Sequence, residues 1–171
     1  TAFGIDLDVV GNLVVLGAGG SGKSAALRAV AVAASSVAER FPVQITALDF
    51  GGGGMSMLED LPTVGTVISG PDDERITRLL ADLDATISDR STRFAAARAA
   101  NLREYRSVTG VAEPRILVLV DGMGAFRNEY EFRPGSLQVF DQVVAIAATG
   151  RALGVHFVTA ADRIGAFPSN L

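Results

Sequence analysis

A glycine-rich stretch that ends in a lysine and a serine carries the clearest chemistry in this sequence. Residues 17–24 fit G-x-x-x-x-G-K-[ST], the pattern of phosphate-binding loops. Its glycines let successive backbone N–H groups turn toward phosphate oxygens, and the helix that follows adds the positive end of its dipole. The pattern predicts nucleotide contacts from these residues and the next one: Gly17, Ala18, Gly19, Gly20, Ser21, Gly22, Lys23, Ser24 and Ala25.

Two side chains of this stretch have separate predicted roles in binding ATP and Mg²⁺. Lys23, the only lysine of the chain, would reach the β- and γ-phosphates. The Ser24 hydroxyl would complete the oxygen shell of a bound Mg²⁺. The alternative is a glycine-rich turn that fits the pattern by accident. The apolar run of residues 13–16 before it and the helix-forming residues after it argue against that alternative.

A second metal-binding side chain is expected at the end of an apolar strand. Residues 116–120 are continuously apolar, and they are followed by Asp121, which would face the same Mg²⁺ as Ser24. The alternative is a buried strand that ends in an exposed aspartate. Hydrolysing proteins of this kind usually carry a glutamate at the next position, where it orients the attacking water, but this chain has Gly122.

The glycine at position 122 bears on turnover. Glycine cannot accept a proton, and positioning a nucleophile with a general base is commonly worth about 10²–10⁴ in rate. We therefore assign no catalytic residue and expect ATP to bind but to be hydrolysed slowly or not at all. Asp49 and Glu129 could replace the missing glutamate only if the fold brings one of them within reach. A Gly122→Glu substitution is expected to raise turnover.

Four polar side chains around the last predicted strand are weaker candidates. Thr159 is either a sensor of the γ-phosphate or an ordinary strand residue. Arg151 and Arg163 flank the strand, and each is either an arginine finger that reaches a neighbouring subunit or a structural cation. His156, the only histidine, lies inside an apolar run and is predicted to be a core residue with satisfied hydrogen bonds.

Strands alternate with helices along the chain, which predicts an α/β fold with a mainly parallel central sheet flanked by helices. Apolar runs predict strands at about Leu13–Leu16, Val43–Leu48, Val64–Ser69, Ile116–Val120 and Val155–Thr159, after a lead-in edge strand within Ile5–Gly11. Apolar residues three and four apart predict helices from the loop to about Arg40, from Pro71 through Phe94, at Leu102–Ser107 and at Ser136–Thr149.

Three other segments have less defined patterns. The four consecutive glycines at 51–54 follow a predicted strand that stops at Asp49, and they form either a flexible loop or a ligand-binding loop. Residues 123–134 are predicted to be a mixed loop. The charged residues off the apolar stripe of the long helix are predicted to form a solvated surface: Arg75, Arg78, Asp82, Asp84, Asp89 and Arg90.

The amino-acid composition limits the classes of protein to which this chain can belong. With 171 residues, 49% of them apolar, we predict one domain over residues 1–171, as a piece of a longer multi-domain protein. A net charge of −4 argues mildly against a domain that grips DNA by itself, because such domains usually present a basic face. The absence of cysteine excludes disulfides and thiolate metal sites, and fits a cytoplasmic protein.

Several stretches resemble a known family. Residues 12–24 are similar to the phosphate-binding region of the FtsK/SpoIIIE ATPases. Four further stretches resemble the EccC branch of that family, the motor of actinobacterial type VII secretion: residues 48–54, 61–65, 71–75 and 150–156. Residues 159–163 look most like the later, C-terminal ATPase-like domains of such proteins. The resemblance covers nearly the whole chain.

The resemblance implies a RecA-like P-loop NTPase domain, one of several strung together behind a membrane-anchored segment. Such proteins assemble into hexamers, bind ATP between subunits, and lie on the cytoplasmic side of the inner membrane. The secretion branch recognises small helical-hairpin substrates through a C-terminal signal, and its later domains are often degenerate in catalysis. Gly122 in place of glutamate fits such degeneracy.

Three functions follow as hypotheses. The first is a nucleotide-binding, weakly hydrolysing module of a type VII secretion motor that binds protein substrates and neighbouring domains. The second is an ATP-dependent DNA translocase domain of the FtsK type, which the acidic composition disfavours. The third is a small-molecule or nucleotide kinase on the same loop, against which no lid or acceptor-site motif is evident.

Overall fold

In the computed structural model, which describes residues 4–166, a five-stranded sheet with all strands parallel forms the centre of the molecule. The strands are β1 (Leu13–Leu16), β2 (Val43–Asp49), β3 (Val64–Ser69), β4 (Arg115–Asp121) and β5 (Val155–Ala161). Their order is β1-β5-β4-β2-β3, so β5 lies between the strand before the glycine-rich loop and the strand that ends in Asp121. All five lie where the apolar runs predicted them.

Helices cover both faces of this sheet. They are α1 (Leu7–Val10), α2 (Lys23–Ser36), α3 (Asp73–Ala96), α4 (Leu102–Thr109), α5 (Met123–Tyr130) and α6 (Leu137–Thr149), with short 3₁₀ turns at Ser56–Leu58 and Ile164–Ala166. Within residues 4–166, no helix combines the length and the hydropathy that crossing a membrane requires.

Each face of the sheet has its own apolar core, because successive residues of a strand point to opposite sides. On β4, Val118 and Val120 belong to the core that packs against α3, α5 and α6. Leu117 and Leu119 belong to the core on the other face, which includes Leu27 of α2. Burial on both faces explains why the strand sequence is a continuous apolar run instead of an alternating one.

The lead-in segment is helix α1, so the predicted edge strand within Ile5–Gly11 is wrong. The Asp6 side chain accepts a hydrogen bond from the backbone N of Asp8 at 3.0 Å and caps the helix. Gly11 ends it with φ 75°, a left-handed conformation that glycine adopts without strain. The alternation of apolar residues that suggested a strand is outweighed by these two caps.

The segment after β4 also differs from its prediction as a mixed loop, since it contains helix α5. Met123, Phe126 and Tyr130 are fully buried, and their spacing of three and four residues places them on one side of this helix. Arg127 and Glu129 lie between them, and their charges hid the stripe in the sequence. Packing of this apolar side decides the conformation.

Helix α2 ends at Ser36, four residues before the predicted end at Arg40. The Ser35 hydroxyl donates to the carbonyl oxygen of Ala31 at 2.8 Å, and the Ser36 hydroxyl donates to that of Ala33 at 2.8 Å. Such side-chain hydrogen bonds compete with the helical backbone pattern and favour helix ends.

One residue of the predicted solvated surface is buried: Arg90 is only 1% exposed. Its guanidinium donates to Glu113 at 3.0 Å, to the carbonyl oxygen of Leu153 at 2.7 Å and to that of Pro114 at 2.6 Å. Arg93 donates to the other Glu113 oxygen at 2.7 Å. This network joins α3 to the segment before β4, and full pairing compensates the cost of burying the charge.

Candidate nucleotide-binding site

The glycine-rich loop joins β1 to α2 at the carboxyl edge of the sheet. Its first amide, Gly17 N, donates to the carbonyl oxygen of Ala161 on β5 at 3.2 Å. Gly20 and Gly22 have φ of 75° and 89°, which a residue with a side chain would adopt only under strain. Helix α2 begins directly after the loop, so its unpaired first N–H groups lie beside it. The local geometry suits an anion.

The lysine and serine of the loop make definite contacts. Lys23 Nζ donates to the carbonyl oxygens of Gly17 and Ala18, both at 2.8 Å, which places the ammonium across the loop. The Ser24 hydroxyl donates to Asp121 Oδ2 at 2.6 Å, although the two residues are 97 positions apart. Hydroxyl and carboxylate oxygens are the hard ligands that Mg²⁺ takes, so this pair fits a magnesium site completed by phosphate oxygens and water.

A cleft of about 610 Å³ opens beside the loop, a size typical of small-molecule sites. Its lining includes residues 19–25 of the predicted nucleotide-binding set, and also Asp121 and Gly122 from the end of β4. Gly51, from the run of four glycines, also lines the cleft. Four other lining residues were not singled out from the sequence: Arg28, Gly124, Asn128 and Asp162.

The three candidates around β5 lie in different places. Arg163 lines the cleft of its own chain. Thr159 is 3% exposed, lies two residues before the strand end and is not among the described residues that line the cleft. Arg151 lies at the opposite, amino edge of the sheet, against Gly11. The finger and sensor roles stay predictions.

Gly122 is held in a conformation that excludes a side chain. Its φ is 78°, and a Cβ there would lie 2.7 Å from the carbonyl carbon and oxygen of Phe50 and 3.0 Å from Gly51 N. Because these are backbone atoms, they cannot swing away as a flexible side chain would. The structure therefore speaks against the expectation that glutamate at this position would raise turnover.

Asp49 has a structural role in the tetraglycine loop. Its Oδ1 accepts hydrogen bonds from Gly51 N at 3.0 Å and Gly53 N at 3.2 Å, and its Oδ2 accepts one from Met55 N at 2.7 Å. Hydrogen bonds to this buried carboxylate thus fix the conformation of the loop at 51–54. It also borders the site, since a Cβ on Gly51 would lie 2.5 Å from Asp121 Oδ2.

Glu129, the other suggested replacement for the missing glutamate, is engaged elsewhere. Its Oε1 accepts a hydrogen bond from Arg133 Nη1 at 2.6 Å, a pair of residues four apart. Among the described residues that line the cleft, neither Glu129 nor Asp49 occurs. Neither carboxylate is placed to act on a nucleotide in this cleft.

Asp162, Asn128 and Arg28 are polar lining residues that sequence reasoning missed. Asp162 directly follows β5, so its position at a strand's carboxyl end was the available signal. Asn128 had no such signal, because the segment that carries it was predicted to be a loop and is helix α5. Asp162 reaches the cleft because β5 lies beside β1 in the sheet.

His156 is in the core, as predicted, but only one of its ring nitrogens is satisfied. It is 0% exposed, and Nδ1 donates to the carbonyl oxygen of Gly11 at 3.0 Å, so Nδ1 carries the hydrogen. Nε2 has no hydrogen-bond partner within the described part of the chain, so the predicted satisfaction of both nitrogens is wrong. Burial, and then the charge of Arg115, lower the pKa of His156 to about 4.

Comparisons with known proteins relate this chain to one family. A model of the FtsK/SpoIIIE family matches residues 1–144. The chain is 33% identical over 166 residues to the ESX-4 secretion system protein EccC4 of Mycobacterium tuberculosis, covering 93% of this chain and 13% of that protein. It is 29% identical over 170 residues to the ESX-1 secretion system protein EccCb1 of the same organism, covering 94% of this chain and 28% of that protein.

Solved structures show the same relationship. ATPases 2 and 3 of Thermomonospora curvata EccC, in complex with a signal sequence peptide, superpose with a TM-score of 0.85 and 28% identity, over 97% of this chain and 30% of that one. The cytoplasmic domain of the same type VII secretion ATPase superposes with a TM-score of 0.78 and 27% identity, over 94% and 19%. The chain thus spans less than a third of each of these relatives.

Proposed function

The chain belongs to the FtsK/SpoIIIE family, and from this premise we propose that it is an ATP-binding, weakly hydrolysing or non-hydrolysing motor domain of an EccC-like type VII secretion ATPase. The observation that carries the proposal is the contact between Ser24 and Asp121 at 2.6 Å beside the glycine-rich loop. It joins the two expected metal ligands from distant parts of the chain next to a cleft large enough for a nucleotide.

Each part of the site has a proposed role in holding Mg²⁺ and ATP. The loop N–H groups and the start of α2 bind the phosphate oxygens, and Lys23 exchanges its loop carbonyls for the β- and γ-phosphates. Ser24 and Asp121 would hold Mg²⁺, which would neutralise charge on those phosphates. Arg163 lines the cleft and would contact the nucleotide of its own chain. With Gly122 in the glutamate position, turnover is slow.

The proposed partners are proteins. We infer that neighbouring ATPase domains and subunits flank this one in a hexamer of the full protein, and that the motor recognises or moves small helical-hairpin substrates. Support comes from the EccC structure with a bound signal sequence peptide, with which this chain shares 28% identity. The domain would lie on the cytoplasmic side of the inner membrane, and would be attached to it through other parts of the full protein.

The test of nucleotide binding is thermal unfolding with and without Mg-ATP. At a ligand concentration about 100 times Kd, binding stabilises the folded state by about 2.7 kcal/mol, which raises Tm by about 5 to 10 °C for a domain of this size. Lys23→Ala is expected to abolish the shift, because it removes the ammonium that faces the phosphates. Calorimetric titration with ATP and ADP, with and without Mg²⁺, gives the affinities.

A matched control is Arg78→Ala, which also removes one positive charge. Arg78 is exposed on α3 and pairs only with Glu74 there, among the described residues, so the Mg-ATP shift should persist. If the wild type shows no shift at millimolar nucleotide, the proposed function fails.

A further inference from the structure

Two carboxylates line the cleft within residues 4–166, and only one of them is engaged with the phosphate-binding loop. Asp121 accepts the Ser24 hydroxyl and is 2% exposed. Asp162 is exposed, and it makes no hydrogen bond or ion pair with any described residue. A carboxylate that faces a nucleotide cleft with its oxygens available can accept a proton there.

The sheet places Asp162 between the loop and the end of β4. Ala161, the last residue of β5, is level with Leu16 of β1, and its carbonyl oxygen accepts Gly17 N at 3.2 Å. On its other side β5 pairs with β4 up to Val120, the residue before Asp121. The chain therefore leaves the sheet at residue 162 with the loop on one side and the predicted metal ligand on the other.

The start of α5 also comes close to this side chain. Asp162 Oδ1 lies 3.5 Å from the point where a Cβ on Gly124 would stand. Gly124 itself lines the cleft, as do Ala125 and Asn128 of the same helix. The carboxylate is therefore bordered by a residue without a side chain, in a cleft of about 610 Å³.

The two other carboxylates suggested as replacements for the missing glutamate have hydrogen-bond partners. Asp49 accepts three backbone N–H groups, and Glu129 pairs with Arg133. Position 122 admits no side chain without strain. Among the described carboxylates that line the cleft, Asp162 is the one that makes no hydrogen bond with a described residue.

We propose that Asp162 is the catalytic base for the ATP turnover of this domain. It would replace the glutamate that is absent at position 122. The proposal rests on the proposed nucleotide-binding function. In the step, the water oxygen forms a bond to the γ-phosphorus, and the bond from that phosphorus to the β–γ bridging oxygen breaks. The electron pair leaves with ADP, and one proton of the water passes to the Asp162 carboxylate, from which it returns to phosphate or solvent.

Asp162→Asn tests this role because it keeps the shape of the side chain and removes its basicity. Phosphate release from Mg-ATP is measured over hours for the wild type, Asp162→Asn and Lys23→Ala. We expect slow wild-type release, and a decrease of at least about 100-fold or to the Lys23→Ala level in Asp162→Asn. Asp162→Glu should retain part of the activity. Asp82→Asn, an exposed carboxylate on α3, should release phosphate at the wild-type rate.

Binding provides a readout that is independent of turnover. A carboxylate near the γ-phosphate repels a triphosphate more than a diphosphate. Asp162→Asn should therefore bind a non-hydrolysable ATP analogue about threefold to tenfold more tightly, with a smaller change for ADP. A purely structural role would not produce this selectivity. Circular dichroism checks folding, and Asp162→Ser is a second variant if the asparagine protein is unstable.

Two results would overturn the proposal. One is an Asp162→Asn protein that binds nucleotide and releases phosphate at the wild-type rate, which would place the base elsewhere. The other is a wild type that binds Mg-ATP but releases no more phosphate than Lys23→Ala, which would leave no turnover to assign. A wild type that does not bind nucleotide at all would instead contradict the proposed function.

Discussion

At the scale of single residues, Gly122 limits the chemistry of the site more than any charged side chain does. It caps α5 with φ 78° and lies against the backbone of Phe50. A residue with a Cβ in such a conformation costs about 1–3 kcal/mol, before the cost of moving the neighbouring chain. Gly122→Glu should therefore lower the free energy of unfolding by more than about 2 kcal/mol and should not raise ATP turnover. Urea denaturation and phosphate release measure the two effects.

Gly65→Ala is the matched control for this substitution. Gly65 lies in β3 without a positive φ, and a Cβ there would meet nothing within 4 Å. Alanine should be tolerated with a change below about 1 kcal/mol. A Gly122→Glu protein that is as stable as the wild type and hydrolyses ATP faster would contradict the interpretation of this position.

His156 makes stability depend on pH. Its pKa falls from 6.5 to about 4 in the folded protein, because burial favours the neutral ring. The unfolded chain therefore binds a proton first as pH falls below 6.5, and the folded state loses stability until pH reaches about 4. Between pH 7 and pH 5 the loss should be about 2 kcal/mol, measured by urea denaturation at each pH.

The comparison for this prediction is His156→Leu, which removes the titrating group and keeps an apolar side chain. The variant loses the hydrogen bond to Gly11, so its stability at pH 7 will differ, but its slope between pH 7 and pH 5 should be shallower. Equal slopes for the two proteins would show that His156 does not titrate in this way.

Short sequence patterns predicted one part of the site. The loop residues and Asp121 follow from spacing and from an apolar run that ends in an acid. Asp162 was missed although it directly follows β5, and Asn128 was missed because the helix that carries it was predicted to be a loop. The buried Arg90 was also missed, since its partners come from segments distant in sequence.

At the scale of secondary-structure elements, Glu113 determines how α3 is attached to the sheet. Burial opposes its charge, but the contacts with Arg93 and Arg90 outweigh that effect and hold the pKa of Glu113 below its ordinary value. Glu113→Ala leaves Arg90 buried without its carboxylate. We expect a loss of about 3 kcal/mol in the free energy of unfolding, measured by urea denaturation at pH 7.

A surface pair on the same helix provides the control. Glu74 and Arg78 lie one turn apart on α3 and are mostly exposed to solvent. Glu74→Ala should cost no more than about 0.5 kcal/mol, because exposed pairs are weak. Similar losses for the two substitutions would contradict the view that burial makes the Glu113 network important.

The boundaries of strands with continuously buried residues could be predicted from the sequence. The boundaries of helices that depend on capping residues were harder to predict. The central strands are continuous apolar runs, which are typical of parallel strands that are buried on both faces. Helix α1 depends on the Asp6 cap and Gly11, and α5 depends on a stripe interrupted by charges, so neither stood out from the sequence. Helix α2 ends early where the Ser35 and Ser36 hydroxyls donate to backbone carbonyl oxygens.

At the scale of the whole molecule, the net charge of −4 favours protein over DNA as the proposed partner. The chain carries 15 basic lysine and arginine residues against 19 acidic ones, and many arginines of the described region are paired with carboxylates. We expect no DNA binding tighter than about 10⁻⁴ M near physiological salt. Fluorescence anisotropy with a labelled duplex at 50 and 200 mM salt measures it.

The control for this measurement is a labelled peptide with a type VII secretion signal, titrated under the same conditions. Micromolar DNA affinity that falls steeply with salt would reverse the preference and favour a translocase, because such a slope reports neutralised phosphates.

The lysine that lies across the loop gives this molecule a single side-chain amine for chemical labelling. Lys23 carries the only side-chain primary amine in the 171-residue sequence, and it is held by the carbonyl oxygens of Gly17 and Ala18. An acylating reagent can therefore label the nucleotide site without labelling any other side-chain amine. The rate of that labelling reports directly on occupancy, since a bound polyphosphate would shield the amine.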